Sequence, residues 1–233
     1  MNNEINKAYY FHSKKHAKSM KLKTLNEVAK SLCKIHISKE QGTGFFLLIN
    51  VSKEKILYML VTAFHVIKNK TINKNKDIKI IIYNGKKEFN INMDKNKRLI
   101  VYDSIEDIIG IEIKEEDNII NNVKFLNYDI NCKKDNYKNY LEEDAFILHH
   151  PENRDLECNS GKILTFIKGC DYEFEHNLDT ERGSSGAPIL LFENEKEGPK
   201  VIGMHKCYPS GQNKLKTNIG NFIDILIEKV INN

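Results

Sequence analysis

Three residues in this sequence have the types and settings that acyl-transfer chemistry needs: a serine, a histidine and an aspartate. The serine lies in Asp179-Thr180-Glu181-Arg182-Gly183-Ser184-Ser185-Gly186-Ala187-Pro188-Ile189, a turn of small residues running into the apolar stretch Ile189-Leu190-Leu191-Phe192. Such a turn can hold a hydroxyl in the open while its backbone N–H groups point at whatever that hydroxyl attacks. Nucleophilic catalysis needs both, the oxygen and the donors aimed at the oxyanion that forms. Ser185 is the candidate nucleophile. Gly183 and Ser185 are the candidate oxyanion donors through their N–H groups, and Gly183 carries no side chain to obstruct the approach. A Gly-Ser turn before a strand is by itself usually a plain loop, so partners for it must be sought elsewhere.

Two partners lie upstream. His65 follows the strand-like run Leu57-Tyr58-Met59-Leu60-Val61-Thr62-Ala63-Phe64, and Asp107 opens the apolar stretch Ile108-Ile109-Gly110-Ile111-Glu112-Ile113. A serine hydroxyl holds its proton at neutral pH. An imidazole, with a reference pKa of about 6.5, suits both taking that proton and returning it to the leaving amine. A carboxylate orients the ring and stabilises its charged form. The chain order is His, Asp, Ser, unlike the orders of subtilisin and the α/β-hydrolases.

On these motifs the sequence resembles the chymotrypsin-like (trypsin-fold) serine peptidases, in particular the small, disulfide-poor branch that includes bacterial glutamyl endopeptidases. The resemblance spans roughly residues 31 to 230. It implies an all-β fold of two six-stranded antiparallel β-barrels with a C-terminal α-helix, and a serine endopeptidase acting on protein or peptide substrates. Thr62-Ala63 before His65 matches the family motif. An acid followed by an apolar strand is the family pattern, which ranks Asp107 ahead of its neighbours Asp103 and Glu106, although Ile109 stands where family members often have alanine. Thr180 and His205 fall at positions resembling the glutamate-reading pair, and a hydroxyl and an imidazole can both donate to a substrate carboxylate. Asp179 occupies the place where trypsin carries the acid that pairs with Arg or Lys. Lys206-Cys207-Tyr208-Pro209 replaces the family's glycines, so Tyr208 would narrow or lid the pocket. Ser184 stands where trypsinogen-like zymogens carry aspartate, so activation through a salt bridge to a newly cut N-terminus is not expected. The alternative is a catalytically idle trypsin-fold module that recruits a partner peptide along a sheet edge.

The elements that must position these residues are legible from alternation and turn chemistry. Residues 31–233 are read as the peptidase-like domain, with a first barrel over about 31–118 and a second barrel plus helix over about 140–233. The polar stretch 114–141 is the expected inter-barrel connection. Cys33, Ile35 and Ile37 alternate with polar residues as in a half-buried strand. Asn84-Gly85 suits a type I′ hairpin turn between strands at 77–83 and 87–93. Leu25, Val28, Ala29 and Leu32 recur at helical spacing after the capping-box pattern Thr24-Leu25-Asn26-Glu27. Ile219, Phe222, Ile223, Leu226, Ile227 and Val230 likewise predict an amphipathic C-terminal helix.

At 233 residues the chain can bury a full core. The net charge of +4, with abundant charge of both signs, implies no strong whole-protein field. Residues 1–30 read as a basic, solvated lead segment with a short helix. Nucleic acid is not an expected partner, despite Tyr9, Tyr10 and Phe11 among the lysines. The five cysteines, Cys33, Cys132, Cys158, Cys170 and Cys207, are odd in number and none adjoins the His65 or Ser185 motif. Reduced thiols and a cytoplasmic location are expected. No membrane span or secretory leader is expected, and neither a metal nor another cofactor; His149-His150 has no further ligand at metal-binding spacing. The oligomeric state is left open.

Overall fold

The computed structural model describes residues 11–12, 22–37, 40–83, 85–192, 197–207 and 217–233. Two β-strands precede and follow the first helix: β1 (Phe11–His12), then α1 (Leu22–Ala29), then β2 (Leu32–Ile37). β3 (Glu40–Asn50), β4 (Ile56–Ala63), the short helices α2 (Phe64–Ile67) and α3 (Asn69–Asn73), β5 (Ile78–Ile82), β6 (Lys87–Ile91), β7 (Ile100–Asp103) and β8 (Ile108–Glu112) complete the first half. The second half holds β9 (Asn127–Tyr128), β10 (Asp144–His149), β11 (Glu157–Phe166), β12 (Glu173–His176), β13 (Pro188–Leu191), β14 (Lys200–Cys207), β15 (Asn218–Phe222) and α4 (Asp224–Ile231).

The first half forms one antiparallel sheet in the order β6-β5-β2-β3-β4-β8-β7. It has seven strands rather than the six expected. Its central strands β3 and β4 pair from Phe45↔Val61 to Asn50↔Ile56 and are buried over most of their length. That explains why they read as nearly continuous apolar runs rather than alternating ones. α1 sets Leu25 and Val28, three residues apart, into the core.

The second half closes on itself. β11-β10-β13-β14-β15-β12 run in sequence around a ring, and β12 pairs back onto β11. Closure removes the unpaired edges that an open sheet would expose. β15 is the strand that completes this ring, pairing with β12 on one side and β14 on the other. This corrects the helix predicted from Ile219 onward. Ile219 and Phe222 belong to a strand, and the helix begins only at Asp224. Short apolar segments satisfy strand and helix spacing alike, and here two waiting neighbours supplied backbone partners that a solitary helix end lacks.

The connecting stretch is stitched to both sheets. Leu126 bridges Leu47 of β3, while Asn127 and Tyr128 pair in parallel with Lys200 and Val201 of β14. Tyr137 from the same stretch stacks on Phe222, ring centroids 3.7 Å apart. Part of the lead segment also joins the second sheet, Phe11 and His12 pairing in parallel with Cys158 and Asn159. Asn84 of the expected hairpin turn lies outside the described residues; the strands on either side pair in the register Ile82↔Lys87. No helix among the described residues is long and apolar enough to cross a membrane. The described cysteines are all free thiols, with Cys33, Cys132 and Cys158 buried.

Candidate active site

His65 is the second residue of α2, at the end of β4. The first N–H groups of any helix lack intrahelical acceptors, and here Asp107 satisfies two of them. Its carbonyl accepts from the Phe64 N–H at 3.0 Å. Its Oδ1 accepts from the His65 N–H at 2.7 Å. The remaining oxygen, Oδ2, lies 2.6 Å from His65 Nδ1. The carboxylate thus sets the backbone and the ring of one histidine together. Because a carboxylate only accepts, Nδ1 carries the proton and Nε2 keeps its lone pair. The Asp107 side chain is 12% exposed and the His65 side chain 46%, so the acid is sheltered while the ring faces outward. Asp107 adopts φ +57, a left-handed conformation that aspartate tolerates better than most residues.

The Ser185 turn packs directly against the His65 segment. Gly186 has φ +87, and a Cβ there would lie 2.2 Å from both Thr43 O and Thr62 Oγ1 and 2.9 Å from Ala63 N. Only glycine lets the turn come this close to the strand end that delivers His65. Gly183 has φ +93, and its missing Cβ would meet His150 O at 2.8 Å. Among the described residues, neither the Gly183 N–H nor the Ser185 N–H has a hydrogen-bond acceptor. Buried backbone donors are rarely left unpaired; here Gly183 is buried and Ser185 half-buried, and their two N–H groups flank one residue. The Ser185 hydroxyl also stands outside the hydrogen-bond network of the described residues. A nucleophile and its base are often looser than hydrogen-bond contact in an unliganded site.

A residue that sequence reasoning missed holds this turn in place. Thr43 of β3 accepts the His150 N–H on its Oγ1 at 3.0 Å and donates the same hydroxyl to Gly183 O at 2.9 Å. Its backbone N–H donates to Ser185 O at 2.9 Å, and its own carbonyl accepts from Thr62 Oγ1 at 2.8 Å. Thr43 is fully buried. The sequence signal was present in Gly42-Thr43-Gly44, but a hydroxyl in a glycine-rich strand start does not announce a partner 140 residues away.

Among the described residues, neither acid rival is hydrogen-bonded to His65. Asp103 Oδ1 accepts from the N–H groups of Ile105 and Glu106, and its Oδ2 pairs with Lys229 at 3.0 Å. Burial, with Glu173 nearby, pushes the Glu106 carboxyl above its usual range. The loop bearing Asp107 is tied to the second barrel from both sides. Lys206 donates to Ile105 O at 3.1 Å while pairing with Glu173, and Asn221 Nδ2 donates to Glu106 O.

The residues proposed from sequence to read the substrate are spread over different depths. Asp179 is exposed and Thr180 half-buried, both on the segment leading to the turn. His205 on β14 is only 3% exposed. Its Nδ1 lies 3.2 Å from Nε2 of His176. Its backbone serves the nucleophile turn, the carbonyl accepting from Gly186 N–H and the N–H donating to Ala187 O, each at 2.9 Å. Burial, followed by the His176, His149 and His65 imidazoles, holds His205 well below the usual histidine range. Burial alone takes His176 down to about 3. Tyr208 lies outside the described residues. His149 and His150 are both buried, and no group of three or more His, Cys, Asp or Glu among the described residues is arranged to hold a metal.

Solved structures similar to this one include proteases. Rv3671c protease from M. tuberculosis in its active form superposes with a TM-score of 0.61 at 16% identity, over 89% of this chain and 82% of that one. The serine endoprotease from Yersinia pestis gives 0.62 at 14% identity, over 94% and 69%. Deg5 gives 0.58 at 17% identity, over 89% and 90%. The chain has the chymotrypsin-type double-barrel fold. No protein-family model matches the sequence, and no curated protein matches it either. His65 follows the end of β4, Asp107 lies just before β8, and Ser185 lies in the turn before β13.

Proposed function

We propose that this protein is a serine endopeptidase that cleaves protein or peptide substrates through an acyl-enzyme. The observation that carries the reading is the 2.6 Å contact between His65 Nδ1 and the sheltered Asp107 carboxylate, beside a turn whose Gly183 and Ser185 N–H groups have no acceptor among the described residues. In this reading His65 Nε2 takes the Ser185 proton as Oγ attacks the scissile carbonyl. Asp107 stabilises the imidazolium that forms, and the two free N–H groups receive the oxyanion. His65 then protonates the leaving amine, and water repeats the sequence on the ester. A fluorophosphonate probe reports an activated serine. Wild-type protein labels and Ser185→Ala does not; equal labelling of the two overturns the reading.

The proposal extends to a preference for an acidic residue before the cut. His205, kept neutral by its surroundings, can offer a ring N–H from Nε2 when its Nδ1 accepts from His176, and Thr180 offers a hydroxyl. Mass-spectrometric mapping of cleavage sites in a peptide library tests this. Enrichment of glutamate supports it, and enrichment of arginine or lysine assigns the pocket to Asp179 instead. The second reading, an idle module that binds a partner peptide, is favoured by the Ser185 hydroxyl standing outside the hydrogen-bond network of the described residues. Peptide capture without hydrolysis distinguishes it.

A further inference from the structure

Beneath the nucleophile turn runs a buried polar chain that the chemistry above does not use. His149 is the last residue of β10 and is 1% exposed. Its Nδ1 lies 2.6 Å from Ser184 Oγ. Its Nε2 lies 3.0 Å from Asn159 Nδ2 on the neighbouring strand β11. The same Asn159 amide group donates to the carbonyl of Asp179 at 3.0 Å. At the other end, Ser184 Oγ accepts from the Glu181 N–H at 3.1 Å, and the Ser184 N–H donates back to Glu181 O at 3.1 Å. Ser184 itself is fully buried.

The protons in this chain can be assigned by elimination. Burial, with Arg154 adding to it, takes His149 down to about 4. The ring is therefore neutral at neutral pH, with one donor and one acceptor. With the Asn159 amide as placed, its two hydrogens go to Asp179 O and His149 Nε2. His149 then donates from Nδ1 to Ser184 Oγ. Every polar atom of the imidazole is committed, which offsets the cost of burying it.

Ser184 sits between Gly183 and Ser185, whose N–H groups have no acceptor among the described residues. Turning the Ser184–Ser185 peptide plane would re-aim the Ser185 N–H directly, and the Gly183 N–H lies one peptide plane further back, beyond the plane whose Ser184 N–H donates to Glu181 O. We propose that His149 is a positioning residue that, with Asn159, clamps Ser184 so that the Gly183 and Ser185 N–H groups converge on the developing oxyanion. It acts through Ser184 and touches no substrate. The inference rests on the serine-peptidase reading, and the test separates the two.

The probe is a fluorophosphonate, whose phosphonylation rate depends on the same oxyanion donors. For wild type, His149→Leu, His149→Asn and Ser184→Ala, labelling is resolved into a limiting rate and a half-saturation concentration, with thermal melts alongside. His149→Leu fills the space without the hydrogen bonds and lowers the limiting rate about 100-fold. The half-saturation concentration stays within about threefold, because binding the probe does not require the aimed donors. Asn places a donor where Nδ1 stood, so His149→Asn recovers most of the rate. Ser184→Ala, which removes one hydroxyl, repeats the loss and serves if His149→Leu does not fold. A limiting rate within about threefold of wild type for the folded Leu or Ala variant overturns the proposal. So does an Asn variant no faster than the Leu variant. Wild type that labels no better than Ser185→Ala overturns the peptidase reading and this inference with it.

Discussion

Asp107 grips His65 at two points, Oδ1 on its backbone N–H at 2.7 Å and Oδ2 on ring Nδ1 at 2.6 Å. A monodentate contact would leave the ring free to swing about its side-chain torsions. Two contacts from one carboxylate couple the ring's orientation to the start of α2, so the imidazole is aimed before any substrate arrives.

Replacing the carboxylate by an amide tests that coupling. In Asp107→Asn the oxygen facing the backbone N–H is kept, but an NH₂ group then opposes Nδ1 and favours the wrong tautomer. Turnover is expected to fall by about 10³–10⁴-fold with little change in melting temperature. Steady-state hydrolysis of a quenched peptide and a parallel melt measure both. Near-normal turnover would remove Asp107 from the mechanism.

Thr43→Val keeps the shape of the side chain and deletes the hydroxyl that serves Gly183 O and the His150 N–H. Leaving buried polar groups unpaired costs about 1–3 kcal/mol, read as a lower urea midpoint. Because this hydroxyl also anchors the turn through Gly183 O, the fluorophosphonate rate should fall as well, and Thr43→Ser should restore both. A stable but slow Thr43→Val would assign Thr43 to positioning alone.

Acid stability should be poor. His149 is depressed to about 4, His150 to about 3 and His176 to about 3, and His205 lies well below its usual value, burial being the leading cause for each. Their unfolded values lie near about 6.5. The unfolded chain therefore binds more protons across that interval, so stability is present above about pH 6.5 and lost as pH falls. Each histidine contributes a slope of about 1.4 kcal/mol per pH unit. A urea midpoint that stays level from pH 7 to pH 5 would contradict this.

Asp224 carries the opposite sign. Burial raises it to about 6, although Tyr137 donates to its Oδ1. Its other oxygen is buried without a partner among the described residues. The folded state holds this proton more tightly than the unfolded one, so the penalty is absent below about pH 4 and complete above about pH 6. Asp224→Asn keeps an acceptor for Tyr137 and should stabilise the protein by about 1–2 kcal/mol at pH 7.5, with the gain gone at pH 4. Denaturation at the two pH values checks it.

Much of the strand pattern was legible because sheet burial writes itself into residue type. β3 and β4 announced themselves through long apolar runs, and β2 through alternation. The β15 segment was misread because Ile219 and Phe222 satisfy two periods at once, and only the ring of partners from β12 and β14 selects between them. Thr43, His149 and Asn159 were illegible as site residues for a different reason. Each acts through hydrogen bonds to positions between 10 and 140 residues away, and nothing in a local window records such a partner.

By itself the sequence determined which chemical groups exist and in what order: an imidazole after an apolar strand, a carboxylate before another, a hydroxyl in a glycine-flanked turn. Side-chain chemistry is local, so it could be read without a fold. Only the tertiary structure decided that Asp107 rather than Asp103 or Glu106 meets His65, that His205 pairs with His176, and that Thr43 and His149 bond to the turn at Gly183 and Ser184. Those outcomes depend on hydrogen-bond distances of about 3 Å. Such distances arise only when separate strands pack in one register.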